Sequence, residues 1–241
     1  MIPPVFISHA VPWLLTRESG LAAALTSAAE TGSDVDAVLV ANSHWQTDHP
    51  TFGVFANGDH RQLDLAKSAA AALEEAGLEA SVEVVSASAF DSSHSVWVPL
   101  ALMFGDRLPP VVTLSVQPTL GAAHHVRVGE ALRPVIGHTL LVGSGSLTHN
   151  MAEVRPEYLS GRYVEWAQTF STWMTRRIAT GDIDALINYR RLAPHAARSH
   201  PQEDHLLPLF VALGASQGRR GKPLYDGIAM GTVSLTAYSF Y

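Results

Sequence analysis

Short, β-branched apolar runs alternate with longer Ala- and Leu-rich stretches along this chain. Residues 5–8, 37–42, 51–56, 82–86, 111–116 and 139–143 read as strands, and 16–30, 59–76, 96–104, 122–136, 163–179 and 204–215 as helices. The end, 228–241, alternates like a further strand. Strands joined by crossover helices need both sheet faces covered, which predicts an α/β fold with a central mostly parallel or mixed sheet between helices. No Gly/Ser-rich or Pro-rich linker interrupts the 241 residues, so 1–241 is expected to be one domain.

Composition narrows the function. There is no cysteine, which removes disulfide frameworks, thiolate metal sites and cysteine nucleophiles together. Neither an apolar run long enough to span a bilayer nor a basic leader is present, so a soluble cytoplasmic protein with no membrane partner is expected. Residues 1–120 carry 4 Lys or Arg against 13 Asp or Glu, and residues 121–241 carry 12 against 9. The arginines are dispersed and do not interleave with aromatics, which argues against nucleic-acid binding and leaves room for one or two to hold a small carboxylate.

Histidine is the unusual residue: 12 are present beside only two lysines. His9 ends the first strand, His44 ends the second, and His149 follows the sixth through a small-residue turn. Ligands of α/β sheets gather at the carboxyl ends of strands. A single buried strand-end histidine is more often a hydrogen-bonded core residue than a ligand, but three leaving one sheet edge are what a metal pocket needs. His205, preceded by Glu203 and Asp204, falls in the first turn of the expected helix 204–215. Glu203 and His205 lie about 200° apart on a helix, so both cannot face one ion. The two acids suit the helix dipole, leaving His205 as the ligand. His94, just before the helix at 96–104, is a fifth candidate.

These segments, FISHAVP, SHW, HSVWVPL, SGSLTHN and HPQEDHLLPLFVALGA, occur in an order that resembles the class III extradiol ring-cleavage dioxygenases. These are the relatives of the protocatechuate 4,5-dioxygenase catalytic subunit, and the DOPA-dioxygenase-like branch is nearest. The resemblance implies a non-haem metal on His9, His44 and His205, with Fe(II) for activity and Zn(II) possible in isolated protein. It also implies His149 as acid/base, His94 near a substrate oxygen, His200 on the substrate side, and a catecholic substrate with O2. The chain departs from the family pattern at Ala10-Val11 and at Ser92-Ser93, where a substrate ring would be approached. A zinc-dependent hydrolase on the same histidines, with His149 as a possible fourth ligand, and a Memo-like metal-binding non-enzyme are the rival readings. The GSGS at 143–146 lacks the spacing of a nucleophile elbow and reads as a tight turn delivering His149.

Overall fold

The computed structural model describes residues 2–9, 19–30, 35–56, 58–86, 94–158 and 161–241. Its ten strands are β1 (Val5–Ser8), β2 (Ala37–Gln46), β3 (Thr51–Phe55), β4 (Ser81–Val85), β5 (Val111–Val116), β6 (Thr139–Gly145), β7 (Gly221–Tyr225), β8 (Ile228–Ala229), β9 (Val233–Ser234) and β10 (Ala237–Phe240). The longer helices are α1 (Ser19–Glu30), α2 (His60–Glu75), α3 (His94–Phe104), α4 (Gly121–Leu132) and α5 (Glu165–Thr180). Three short helices follow, α6 (Ile183–Ile187), α7 (Tyr189–Leu192) and α8 (Ala196–Ser199), and then α9 (Leu207–Ala215).

Eight strands form one mixed sheet in the order β4-β3-β5-β2-β6-β1-β10-β7. Its centre is parallel: β5, β2, β6 and β1 run the same way, so their carboxyl ends share an edge. β3 and β10 run antiparallel to their inner neighbours. Alternation along the strands divides the core. Phe6, Leu39, Ala41 and Leu141 face α2, α4, α5 and α9 on one side. Val5, Ile7, Val38, Val40, Leu140 and Val142 face α1 and α3 on the other. The sheet is thus covered on both faces, as the unbroken apolar strands demand. Among the described residues no helix is long and apolar enough to cross a membrane.

Three of the differences from the sequence reading have a clear local cause. The helix expected from residue 204 begins at Leu207, because the Asp204 carboxylate accepts the His205 backbone N–H at 2.8 Å and Pro208 sits in the first helical turn. His205 therefore lies in the turn before α9. The strand expected over 228–241 is broken, since Met230 and Gly231 turn the chain at positive φ; β8 and β9 form their own pair and only β10 enters the main sheet. β7 was not legible because Lys222 and Pro223 argue against a strand, and they are tolerated because β7 is an edge.

Candidate metal centre

The parallel centre of the sheet carries three of the expected histidines to one edge. His9 follows β1 directly, and its N–H donates to the Gly145 carbonyl at 3.0 Å. β2 does not end at His44, as expected, but continues to Gln46 through a bulge. Ala41 pairs with Leu114 while Gln46 pairs with Val116, leaving extra residues on β2 around His44. A bulge re-aims a side chain, and here Asn42 Oδ1 accepts the His44 N–H at 3.0 Å to hold the kink. His149 follows the turn after β6, its N–H bonded to the Ser199 carbonyl at 2.9 Å. His94 is the first residue of α3 rather than lying before it.

His9, His44 and His205 face one another. Their ring centroids are 4.9, 5.0 and 5.4 Å apart, and His44 Nε2 lies 3.1 Å from His205 Nε2. Each offers a ring nitrogen within 4.8 Å of the others. Imidazoles bound at about 2.0–2.1 Å to one tetrahedral ion place nitrogens about 3.3 Å and centroids about 5.2 Å apart. The three rings fit that arrangement. His94 stands beside them, 4.8 Å from His44 and 5.5 Å from His9 by centroids.

His149 stands differently. Its ring lies flat on His205, with centroids 3.5 Å apart and planes at 6°. His200 is buried completely, its Nε2 bonded to the Leu147 carbonyl at 2.9 Å and its ring among Phe170 and Tyr189. The structure thus puts His200 in the packing behind His149, with no atom exposed toward a ligand.

A carboxylate partner orients the His205 ring. Asp204 Oδ1 accepts from His205 Nδ1 at 2.9 Å, which leaves His205 Nε2 facing the cluster. Gln46 Nε2 donates to Asp204 Oδ2 at 3.0 Å and ties it to β2. The helix-dipole reading of Asp204 is therefore replaced by a role toward His205. Glu203 turns away, accepting from the Tyr189 hydroxyl at 2.7 Å and pairing with Arg190. A polar cavity of about 480 Å³ adjoins Asp204, lined by Gln46, Thr119, Arg190 and Gln202 among others. Arg190, its one cation, is already engaged by Glu203 and the His200 carbonyl.

Burial holds His9, His44 and His149 in the neutral form. It lowers the His9 pKa well below the usual value, with further lowering from the neighbouring histidines. Burial and then His205 lower His44 to about 4, and the same two causes lower His149 to about 4. These rings are neutral near pH 7, with lone pairs available. Asp204 is pushed up by burial and down by its His205 hydrogen bonds, and the latter prevail, so it is an anion.

The family model for the catalytic LigB subunit of aromatic ring-opening dioxygenase matches residues 16–241. The chain belongs to this family. It is a class III extradiol ring-cleavage dioxygenase, and the zinc-hydrolase and Memo-like readings give way. Among curated relatives, the 4,5-DOPA dioxygenase extradiol of Portulaca grandiflora is 32% identical, over 98% of this chain and 94% of its own. That of Beta vulgaris is 30% identical over 85% and 82%, and that of Escherichia coli K12 26% identical over 97% and 93%. The crystal structure of an uncharacterized Escherichia coli K12 protein shares the fold over the whole of both chains, with a TM-score of 0.80 at 23% identity.

Sequence reasoning missed three residues that hold these rings: Asp204 on His205, Gln46 on Asp204, and Ser144, whose hydroxyl lies 3.2 Å from His9 Nδ1. Asp204 stood next to His205, but adjacency does not tell whether a carboxylate faces its neighbour's ring. The departures at Ala10-Val11 and Ser92-Ser93 lie outside the described residues.

Proposed function

We propose that this dioxygenase opens a catecholic ring by extradiol insertion of O2, with a divalent metal, Fe(II) for activity, held by His9, His44 and His205. The observation that carries the reading is the mutual spacing of those three rings, close to that of imidazoles sharing one ion. Held by three protein ligands, a divalent iron would leave positions open to a chelating diphenol and to dioxygen and would supply the redox chemistry between them. Zn(II) would fill the same nitrogens in isolated protein without supplying the redox chemistry.

The chain's own residues then move protons and hold the substrate. His149 is unprotonated at neutral pH because burial and His205 lower its pKa to about 4. An anionic diphenol beside it opposes that lowering, so the ring can take the second hydroxyl proton and return it when the ring opens. His94, half-buried at the mouth of α3 and beside both His9 and His44, is placed to hydrogen-bond a substrate oxygen. Asp204 holds His205 in one tautomer throughout. His200, read from the sequence as a substrate contact, serves in this proposal from behind, backing the turn that carries His149. A cytoplasmic setting, with O2 and a small diphenol as partners, completes the reading.

Iron-reconstituted protein offered a panel of catechols, including DOPA and protocatechuate, tests it through oxygen uptake and the appearance of a ring-opened chromophore. Stoichiometric uptake with at least one catechol is expected. A fully metal-loaded protein that consumes no oxygen with any of them overturns the substrate assignment.

A further inference from the structure

The small residues after Val142 do more than turn the chain. Ser144 lies at the carboxyl end of β6, completely buried. Its hydroxyl donates to the Ser95 carbonyl in α3. Having spent its one proton there, the oxygen can only accept from His9 Nδ1, 3.2 Å away. His9 must then carry its proton on Nδ1 and present an unprotonated Nε2. The same Ser95, one residue after His94, donates its own hydroxyl to Asn42 Oδ1 at 2.8 Å, and Asn42 also holds the His44 N–H. One serine thus links the segments bearing His9, His94 and His44.

Gly143 and Gly145 point to the opposite face of the sheet. A Cβ on Gly145 would overlap the His205 backbone carbonyl, and one on Gly143 would overlap the Pro208 carbonyl. That absence of side chains lets the turn before α9 lie directly on β6, where Ser146 N–H donates to the His205 carbonyl at 2.8 Å. The backbone carrying His205 is seated by the glycines, as the His9 ring is oriented by the serine between them.

We infer that Gly143, Ser144 and Gly145 form a two-faced positioning element: Ser144 selects the His9 nitrogen offered to the cluster, and the glycines set the depth of His205. They are positioning residues, acting through the histidines and not on substrate. The inference rests on the metal reading above.

Two variants, Ser144→Ala and Gly145→Ala, are compared with wild type in two measurements. Histidine ring ¹⁵N spectra of metal-free protein at neutral pH report the His9 tautomer, and Co(II) titration reports affinity together with the spectrum of the bound ion. Wild type should show His9 protonated on Nδ1 alone. Ser144→Ala should give a mixture of tautomers and weaken Co(II) by about 10- to 100-fold, as loss of an outer partner does. Gly145→Ala should weaken Co(II) by at least as much while leaving the His9 tautomer intact; should it fail to fold, Ser144→Ala decides alone. A Ser144→Ala protein with wild-type tautomer and wild-type Co(II) affinity overturns the inference. Wild-type protein that binds no Co(II) through histidine overturns the metal reading and this inference together.

Discussion

His149 lies flat against His205, its centroid 3.5 Å away and the two planes within 6° of parallel. Two imidazoles sharing one ion at about 2.0–2.1 Å cannot come so close, because nitrogens at 90° or more around it keep centroids about 4.5 Å or more apart. Stacked this way, the two rings do not have the spacing of imidazoles on one ion, although His149, Asp204 and His205 together offer ligand atoms within 4.8 Å of one another. His149→Ala should therefore retain Fe(II) or Co(II) at close to wild-type stoichiometry while turnover falls by ~10²–10⁴-fold, the usual worth of a general acid–base group. His44→Ala should lose the metal itself. Metal analysis and oxygen uptake measured on both variants check the contrast, and equal metal loss in the two would make His149 a ligand.

Asp204→Ala removes the acceptor that holds His205 Nδ1 and the anchor of Gln46. Metal affinity is expected to fall by about 10- to 100-fold. Gln46→Ala, which leaves Asp204 in contact with His205, should have the smaller effect. Competitive chelator titrations rank the two, and the reverse order would separate Asp204 from the site.

His200→Ala should be read in stability more than in substrate affinity. The change deletes the bond to the Leu147 carbonyl and empties space among Phe170 and Tyr189. Removing a buried, hydrogen-bonded ring of this size should cost about 2–4 kcal/mol. Urea denaturation gives the loss; unchanged stability with a raised KM would restore the substrate-contact role.

His125 provides a pH test outside the histidine cluster. Its Nε2 accepts the Gln117 N–H at 3.1 Å, its Nδ1 donates to the Gly121 carbonyl at 2.7 Å, and burial lowers its pKa to about 3. The unfolded chain binds this proton near pH 6.5 and the folded chain does not. The stability it contributes is thus present above pH 6.5 and is lost progressively as pH falls toward 3, at about 1.4 kcal/mol per pH unit for one such group. Unfolding at pH 5 should take up about one proton fewer in His125→Gln than in wild type. Calorimetry in buffers of different ionisation enthalpy measures that number.

Alternation of short apolar runs with longer Ala- and Leu-rich stretches was enough to mark the six strands before residue 145, the long helices and the two-sided sheet, because period and run length are local properties of a chain. Histidines following strands were equally legible, since parallel strands must deliver their ends to one edge. What the sequence could not express is direction at the scale of a single side chain. The kink that re-aims His44 rests on a register shift between β2 and β5, which are far apart in the chain. Asp204 became a partner of His205, and not a helix cap, once Pro208 and the glycines of β6 placed the turn before α9. His200 carries the same flanking motif whether it faces a ligand or the core, and only packing against Phe170 and Tyr189 decides which. Residue type and spacing determined which groups could do the chemistry; tertiary contacts, which act between residues far apart in the chain, decided which nitrogen each one presents.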